Sequence, residues 1–190
     1  MVTAVDLVFD LDGTLVDSAP HIAAMLSEVA GRPIRATDTR QYLTQGGEQL
    51  VAALLGDKDL VENLAKFREL YIAAPTPDCF FPGVREGLDR LASAGRTMAI
   101  CSNKPQSLCD KIVAELELDH FEIILGSASK PCRIPLPASL YVGDSMVDRE
   151  TAERSDIPFA FVTYGYAEPG FTCTSLRLDD FPSVVDFILR

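Results

Sequence analysis

The chain has 190 residues, of which 47% are hydrophobic and 24% are charged. This length and composition suit one globular core with a small additional unit and exclude disordered and fibrous classes. The formal net charge of −11 disfavours nucleic acid as a partner, because phosphate backbones select basic surfaces. No apolar run reaches the roughly 18 residues that span a bilayer, and no signal-peptide pattern precedes the first strand. We therefore expect a cytoplasmic protein without a membrane partner; no sequence pattern assigns an oligomeric state.

The first apolar segment, 4–10, delivers two carboxylates into a turn that contains glycine. Asp10 and Asp12 lie two positions apart, and Gly13 follows them. Two such acids at the end of a buried strand bind a cation, share a proton or repel each other. The alternative is an ordinary turn at Asp12 and Gly13, with Asp10 exposed on the strand.

The next strand-like run begins only at 97, so the intervening residues are far more than a simple crossover needs. Three segments there show the three-to-four-residue apolar spacing of helices, at 19–30, 48–55 and 58–73. They are broken by glycine and proline, and no strand pattern separates them. We predict an inserted helical unit at 17–82, with the core formed by 1–16 and 83–190.

The rest of the chain alternates strand-like and helical patterns. Further apolar runs of strand length occur at 97–102, 121–126, 139–143 and 158–163, and helical spacing occurs at 83–94 and 105–116. Such alternation is typical of a parallel sheet covered by helices. The predicted class is α/β, a Rossmann-like parallel sheet that carries a small inserted helical domain.

Polar side chains follow two of these strands. Ser102 and Asn103 stand between a strand and a helix, where a hydroxyl and free N–H groups can bind phosphate; a plain helix N-cap is the alternative. Asp144 follows another strand, and Asp148 lies four positions later, on the same face of a helix. These oxygen ligands suit Mg²⁺, although acids also help to begin helices.

Residues 10–18, Asp-Leu-Asp-Gly-Thr-Leu-Val-Asp-Ser, resemble the first motif of the haloacid dehalogenase superfamily, in particular its phosphoglycolate phosphatase-like branch with a helical cap. Ser102 and the Gly-Asp-Ser-x-x-Asp pattern of 143–148 are similar to its second and fourth motifs. The resemblance implies that Asp10 is the nucleophile and Asp12 the general acid and base. It also implies a set of substrate-binding residues, Thr14, Ser102, Asn103 and Lys130, and a set of Mg²⁺ ligands, Asp10, Asp12 through its backbone carbonyl, Asp144 and Asp148.

The family also places a catalytic lysine between its second and fourth motifs, and Lys130 is the matching residue. The chain departs from the family after this lysine, where a helix of several turns is usual. Three prolines, at 131, 135 and 137, are incompatible with such a helix, so we expect an extended loop. This shortening leaves the position of Lys130 open, with Arg133 as another candidate cation.

The resemblance implies Mg²⁺-dependent hydrolysis of a small phosphorylated metabolite, similar to phosphoglycolate, through an aspartyl-phosphate. An acid at Asp12 favours phosphoryl transfer over the carbon chemistry of dehalogenases. Two alternatives stay open at this point: a phosphomutase of the same fold, and a non-catalytic binding protein that keeps the scaffold.

Overall fold

The computed structural model describes residues 4–126, 130–167, 171 and 176–190. In chain order its elements are β1 (Leu7–Phe9), α1 (Ala19–Ala30), α2 (Ala36–Leu43), α3 (Gly47–Leu55), α4 (Leu60–Ala73), α5 (Val84–Ser93), β2 (Met98–Cys101), α6 (Gln106–Glu115), β3 (Phe121–Leu125), β4 (Leu140–Gly143), α7 (Met146–Arg154), β5 (Phe159–Val162), β6 (Leu176–Leu178) and α8 (Phe181–Ile188). Among the described residues, no helix is both long and apolar enough to cross a membrane.

The strands form one six-stranded parallel sheet in the order β3-β2-β1-β4-β5-β6. This sheet and the inserted helices confirm the predicted α/β class. Each predicted apolar run contains a strand, whereas β6 was not predicted. It is a three-residue edge strand with one buried side chain, too short to produce a clear alternation.

Both faces of the sheet are covered, which explains why its central strands are continuous apolar runs. All residues of β1, β2, β4 and β5 are buried. Alternate residues of β1 enter two separate clusters: Leu7 and Phe9 pack on one face, and Val8 packs on the other. Burial on both sides therefore makes these strands apolar at every position.

The contacts within the chain divide it into two units, one of residues 18–78 and one of residues 1–17 and 79–190. Residues 18–78 contain α1 to α4 and no strand. Helix α1 occupies the predicted range, 19–30. Helices α3 and α4 begin within two residues of their predicted first residues, 48 and 58. Helix α2 was not predicted because its sequence is mostly polar and its one buried side chain is Thr39.

The proline-rich segment after Lys130 contains no helix, as its prolines predict. Its Ile134 and Leu136 are buried, and they pack in the same cluster as Tyr141 and Phe159. The loop therefore covers apolar surface on this face of the sheet.

The strand order places a topological switch at β1. Strand β2 lies on one side of β1 and β4 lies on the other. The later strands therefore extend the sheet away from β1 in two opposite directions. Ligands of such sheets bind in the crevice at the carboxyl ends of the strands, beside this switch.

Candidate active site

The predicted site residues follow the carboxyl ends of adjacent strands. Asp10 comes directly after β1, and its N–H donates to the carbonyl of Val142 in β4 at 2.9 Å. Ser102 comes directly after β2, and its N–H donates to the carbonyl of Leu125 in β3 at 2.8 Å. These backbone bonds extend the sheet by one residue and hold both side chains at its edge.

Three carboxylates converge at this edge. One oxygen from each of Asp10, Asp144 and Asp148 lies within 4.8 Å of the others, and all three residues are buried. Burial, followed by the charge of Asp148, raises the pKa of Asp10 to about 7. Burial and the charge of Asp10 likewise raise the pKa of Asp144 well above its ordinary value. A cation among these oxygens would reverse both effects.

The oxygen atoms of Asp144 show that this cluster fits a metal ion. Oδ2 accepts a hydrogen bond from the N–H of Tyr166, whereas Oδ1 is buried and has no hydrogen-bond partner among the described residues. A buried carboxylate oxygen without a donor is costly. Carboxylates are the hard ligands that Mg²⁺ prefers, so the donor set suits this ion.

Asp148 is held by its own helix. It forms a capping box with Ser145: its Oδ2 accepts from the N–H of Ser145 at 3.1 Å, and the Ser145 hydroxyl accepts from the N–H of Asp148 at 3.2 Å. Its Oδ1 accepts from Lys130 Nζ at 2.7 Å and from the Tyr141 hydroxyl at 3.0 Å. Both oxygens are thus engaged, which suits a residue that supports the site.

Lys130 lies inside the cluster despite the shortened loop that follows it. Its Nζ is 2.5 Å from Oδ1 of Asp10, and its side chain is 3% exposed. Burial alone would lower the pKa of this ammonium, but the charges of Asp10 and Asp148 outweigh burial and raise it well above the usual value. Its backbone N–H donates to Oδ1 of Asn103 at 2.7 Å, so the turn after β2 positions the lysine. Arg133, the other candidate cation, is exposed and lies 3.7 Å from Asp156.

Asp12 points to a different partner. Its Oδ1 lies 2.8 Å from Nζ of Lys104, and the three-carboxylate cluster found among the described residues does not include it. The two acids of the first motif therefore have different partners: Asp10 contacts Lys130 and its side chain is 9% exposed, whereas Asp12 contacts Lys104 and its side chain is 15% exposed.

Two glycines allow the backbone to approach Asp144 closely. A Cβ on Gly13, whose φ is +88°, would lie 2.1 Å from Oδ2 of Asp144. A Cβ on Gly165 would lie 2.3 Å from the same oxygen and equally close to the carbonyl of Gly13. The turn after β1 and the loop after β5 thus pack backbone against backbone around this carboxylate.

The remaining predicted substrate ligands are buried hydroxyls. Ser102 is 1% exposed, and its Oγ accepts from the N–H of Lys104 at 3.2 Å. Thr14 is fully buried, and its Oγ1 has no hydrogen-bond partner in the part of the chain that the structure describes. The carbonyl of Thr14 accepts from the Tyr164 hydroxyl at 2.8 Å.

Comparison with known proteins shows the family of the chain. The haloacid dehalogenase-like hydrolase family matches residues 7–156. This range contains every candidate site residue named in this section except Tyr164, Gly165 and Tyr166. The chain belongs to the haloacid dehalogenase-like hydrolase family. Its membership confirms the resemblance inferred from the first motif.

The curated relatives of this hydrolase include phosphatases of similar length. The phosphoglycolate phosphatase of Rhodobacter capsulatus is 32% identical, over 84% of each chain. That of Cereibacter sphaeroides strain ATCC 17025 is 34% identical, over 84% of this chain and 85% of its own. These relatives and the family confirm the prediction of a phosphoric monoester hydrolase.

Solved structures share the fold of the hydrolase. A predicted phosphoglycolate phosphatase from Haemophilus somnus has a TM-score of 0.83 at 22% identity, with 99% of each chain covered. A haloacid dehalogenase-like family protein from Streptococcus pneumoniae has a TM-score of 0.75 at 22% identity, covering 97% of this chain and 98% of its own. At these identities the likeness concerns the fold.

Three groups at the site of this hydrolase were not predicted from its sequence. Tyr141 is buried, donates to Asp148 and places its ring centroid 5.7 Å from Nζ of Lys130. Tyr166 holds Asp144 through its N–H and Asp17 through its hydroxyl, at 2.7 Å. Lys104 was assigned no role from the sequence. The available signal was position, because Tyr141 lies within a buried strand near the site, and Lys104 and Tyr166 each follow such a strand.

Proposed function

We propose that this hydrolase is a Mg²⁺-dependent phosphatase that hydrolyses a small, phosphoglycolate-like phosphate monoester through an aspartyl-phosphate on Asp10. One observation carries the proposal: the buried Asp10 carboxylate contacts Lys130 and converges with Asp144 and Asp148. The names of the curated relatives support the class of substrate.

Asp10 is the nucleophile in the proposed reaction. A carboxylate must be ionised to attack phosphorus, and burial works against ionisation here. The Lys130 ammonium at 2.5 Å favours the charged form of Asp10 and also offers positive charge to the phosphoryl oxygens. Lys130 thereby serves both the nucleophile and the transferring group.

Asp10, Asp144 and Asp148, with the backbone carbonyl of Asp12, are the proposed Mg²⁺ ligands. When bound, this ion neutralises negative charge on the carboxylates and on the phosphoryl oxygens, which is the main requirement of such a transfer. Asp144 supplies a carboxylate oxygen without another partner among the described residues. Asp148 also orients Lys130, because its Oδ1 accepts a hydrogen bond from Nζ of this lysine at 2.7 Å.

Asp12 carries the proton. It protonates the leaving alkoxide and then removes a proton from the water that releases Asp10. Its position outside the three-carboxylate cluster suits a group that must alternate between two protonation states. The hydroxyls of Thr14 and Ser102 bind the phosphoryl oxygens, and Asn103 acts chiefly by holding the backbone of Lys130.

We also propose that the helical insertion, predicted at 17–82, acts as the cap of the family. A cap of this kind excludes water from the phosphoryl-transfer step and selects the substrate. Deleting the insertion and closing the core with a short linker should leave slow hydrolysis of small esters and abolish discrimination among substrates.

The test is a panel of phosphorylated acids, sugars and nucleotides, assayed for phosphate release with and without Mg²⁺. We expect Mg²⁺-dependent release with highest kcat/KM on a small phosphorylated acid, and none from Asp10→Asn. Near-normal hydrolysis by Asp10→Asn would overturn the mechanism. Substrate conversion without phosphate release would indicate a mutase, and inactivity across the panel would indicate a binding protein.

A further inference from the structure

We infer that Lys104 is a positioning residue for Asp12: its ammonium holds Oδ1 of this carboxylate and so fixes the orientation in which the carboxylate transfers a proton. The inference rests on the proposed function, in which Asp12 is the acid and base. It assigns a role to a residue to which the proposed reaction gives no part.

The contact between the two side chains is close and shielded from water. Nζ of Lys104 lies 2.8 Å from Oδ1 of Asp12, and the two side chains are only 11% and 15% exposed. Exposed ion pairs hold their partners weakly, because water and salt screen them. Here both charges are mostly desolvated, so the pair constrains the direction of the Asp12 carboxylate.

The backbone of Lys104 is itself anchored. Its N–H donates to Oγ of Ser102 at 3.2 Å, and its carbonyl accepts from Sγ of Cys109 at 3.7 Å. Pro105 follows as the N-cap of α6 and has a restricted φ. The lysine therefore extends from a fixed point beside Ser102, the proposed phosphate ligand.

Lys130, the other lysine at the site, already forms two ion pairs. Nζ of Lys130 contacts both Asp10 and Asp148, so it serves the nucleophile. An Asp12 carboxylate without Lys104 would be attracted to any cation held by the neighbouring cluster, only two residues away in the chain. Lys104 therefore keeps the two acids of the first motif in separate roles.

The role of Lys104 is tested with two substrates whose leaving groups differ in their need for a proton. Glycolate must be protonated as it leaves, whereas p-nitrophenolate leaves readily as an anion. For Lys104→Met we expect kcat/KM to fall about 30- to 100-fold on phosphoglycolate, as for loss of general acid catalysis, and less than about threefold on p-nitrophenyl phosphate. Lys104→Arg should restore most of the loss.

A double-mutant cycle separates positioning from a merely structural role. If Lys104 acts through Asp12, the variant that combines Asp12→Asn with Lys104→Met should be no slower on phosphoglycolate than Asp12→Asn alone. Lys111→Met is the matched control, because Lys111 lies in α6, the helix that follows Lys104, and pairs with Glu115 at 2.6 Å. We expect this control to keep wild-type kinetics on both substrates.

Equal losses on both substrates, or losses that multiply in the double variant, would overturn the inference. If the wild type hydrolyses no ester with Mg²⁺, the proposed function fails, and crystal structures then decide the role of Lys104. The Asp12 carboxylate should leave its wild-type position in Lys104→Met and keep it in Lys111→Met. An unmoved Asp12 in Lys104→Met would refute the positioning role.

Discussion

The substitution Asp10→Asn should abolish hydrolysis and at the same time stabilise the metal-free protein. Asp10 is buried, and its pKa is raised from 3.8 to about 7. Ionisation of this side chain therefore costs the folded state about 4 kcal/mol above pH 7. Asparagine removes this cost but adds a buried amide, so we expect a net gain of about 2–4 kcal/mol at pH 8. The midpoint of thermal unfolding should rise by roughly 4–16 °C.

The stability that Asp10→Asn gains over the wild type should depend on pH in a defined direction. A carboxyl group whose pKa is higher in the folded state than in the unfolded state binds more protons when folded, so wild-type stability falls as pH rises from about 4 to 7. Asp10→Asn lacks this titration. Its advantage should therefore be largest above pH 7, shrink steadily below pH 7 and disappear near pH 4.

The assay is thermal and urea unfolding followed by circular dichroism, at pH 4, 6 and 8, in buffer that contains a chelator. Asp186→Asn is the control, because Asp186 forms an exposed ion pair with Arg90 at 2.9 Å and should change stability by less than about 1 kcal/mol. Saturating Mg²⁺ should reduce the difference between wild type and Asp10→Asn. An Asp10→Asn variant less stable than wild type at pH 8 without metal would refute the reasoning.

Three further predictions test other parts of the molecule. At 100 times its Kd, Mg²⁺ should stabilise the wild type by about 2.7 kcal/mol and raise the unfolding midpoint by about 5–11 °C; an equal rise in Asp144→Ala would place the ion elsewhere. Asp12→Ala should retain affinity for inorganic phosphate, measured by calorimetry, but lower kcat at least about 100-fold; unchanged kcat would exclude it as the proton carrier. Hydrogen bonds from the N–H and hydroxyl of Thr97, at 2.8 and 2.9 Å, lower the pKa of Asp6, so its stabilisation is present above about pH 4 and lost as pH falls through the lower folded pKa. Asp6→Asn should therefore cost about 1–2 kcal/mol at pH 7, and this cost should shrink as pH falls below about 4. A loss that does not depend on pH would contradict this assignment.

The sequence determined the fold class because its evidence is local. Burial on both faces makes the central strands apolar throughout, and glycine and proline end the helices, so periodicity alone located most elements. Periodicity did not locate elements with little buried surface. Helix α2 buries one side chain, and β6 is a three-residue edge strand.

The sequence also singled out Asp10, Asp12, Ser102 and Asp144 as candidate site residues, since each stands where a buried strand ends in a polar turn. In a parallel sheet the carboxyl ends of neighbouring strands share one edge, which brings such residues together. For Lys130 the sequence left the position open. The structure places its ammonium against Asp10, because Asn103 holds its backbone and Asp148 its side chain.

Only the tertiary structure decided how the charges are paired. Lys130 and Asp10 are 120 positions apart in the chain, and Lys104 and Asp12 are 92 positions apart. No local pattern encodes such a choice, because it depends on how each strand end and turn packs against its neighbours. The sequence determined that two acids stand together after β1. The packing around them decided that Asp10 faces Lys130 and the carboxylate cluster, while Asp12 faces Lys104.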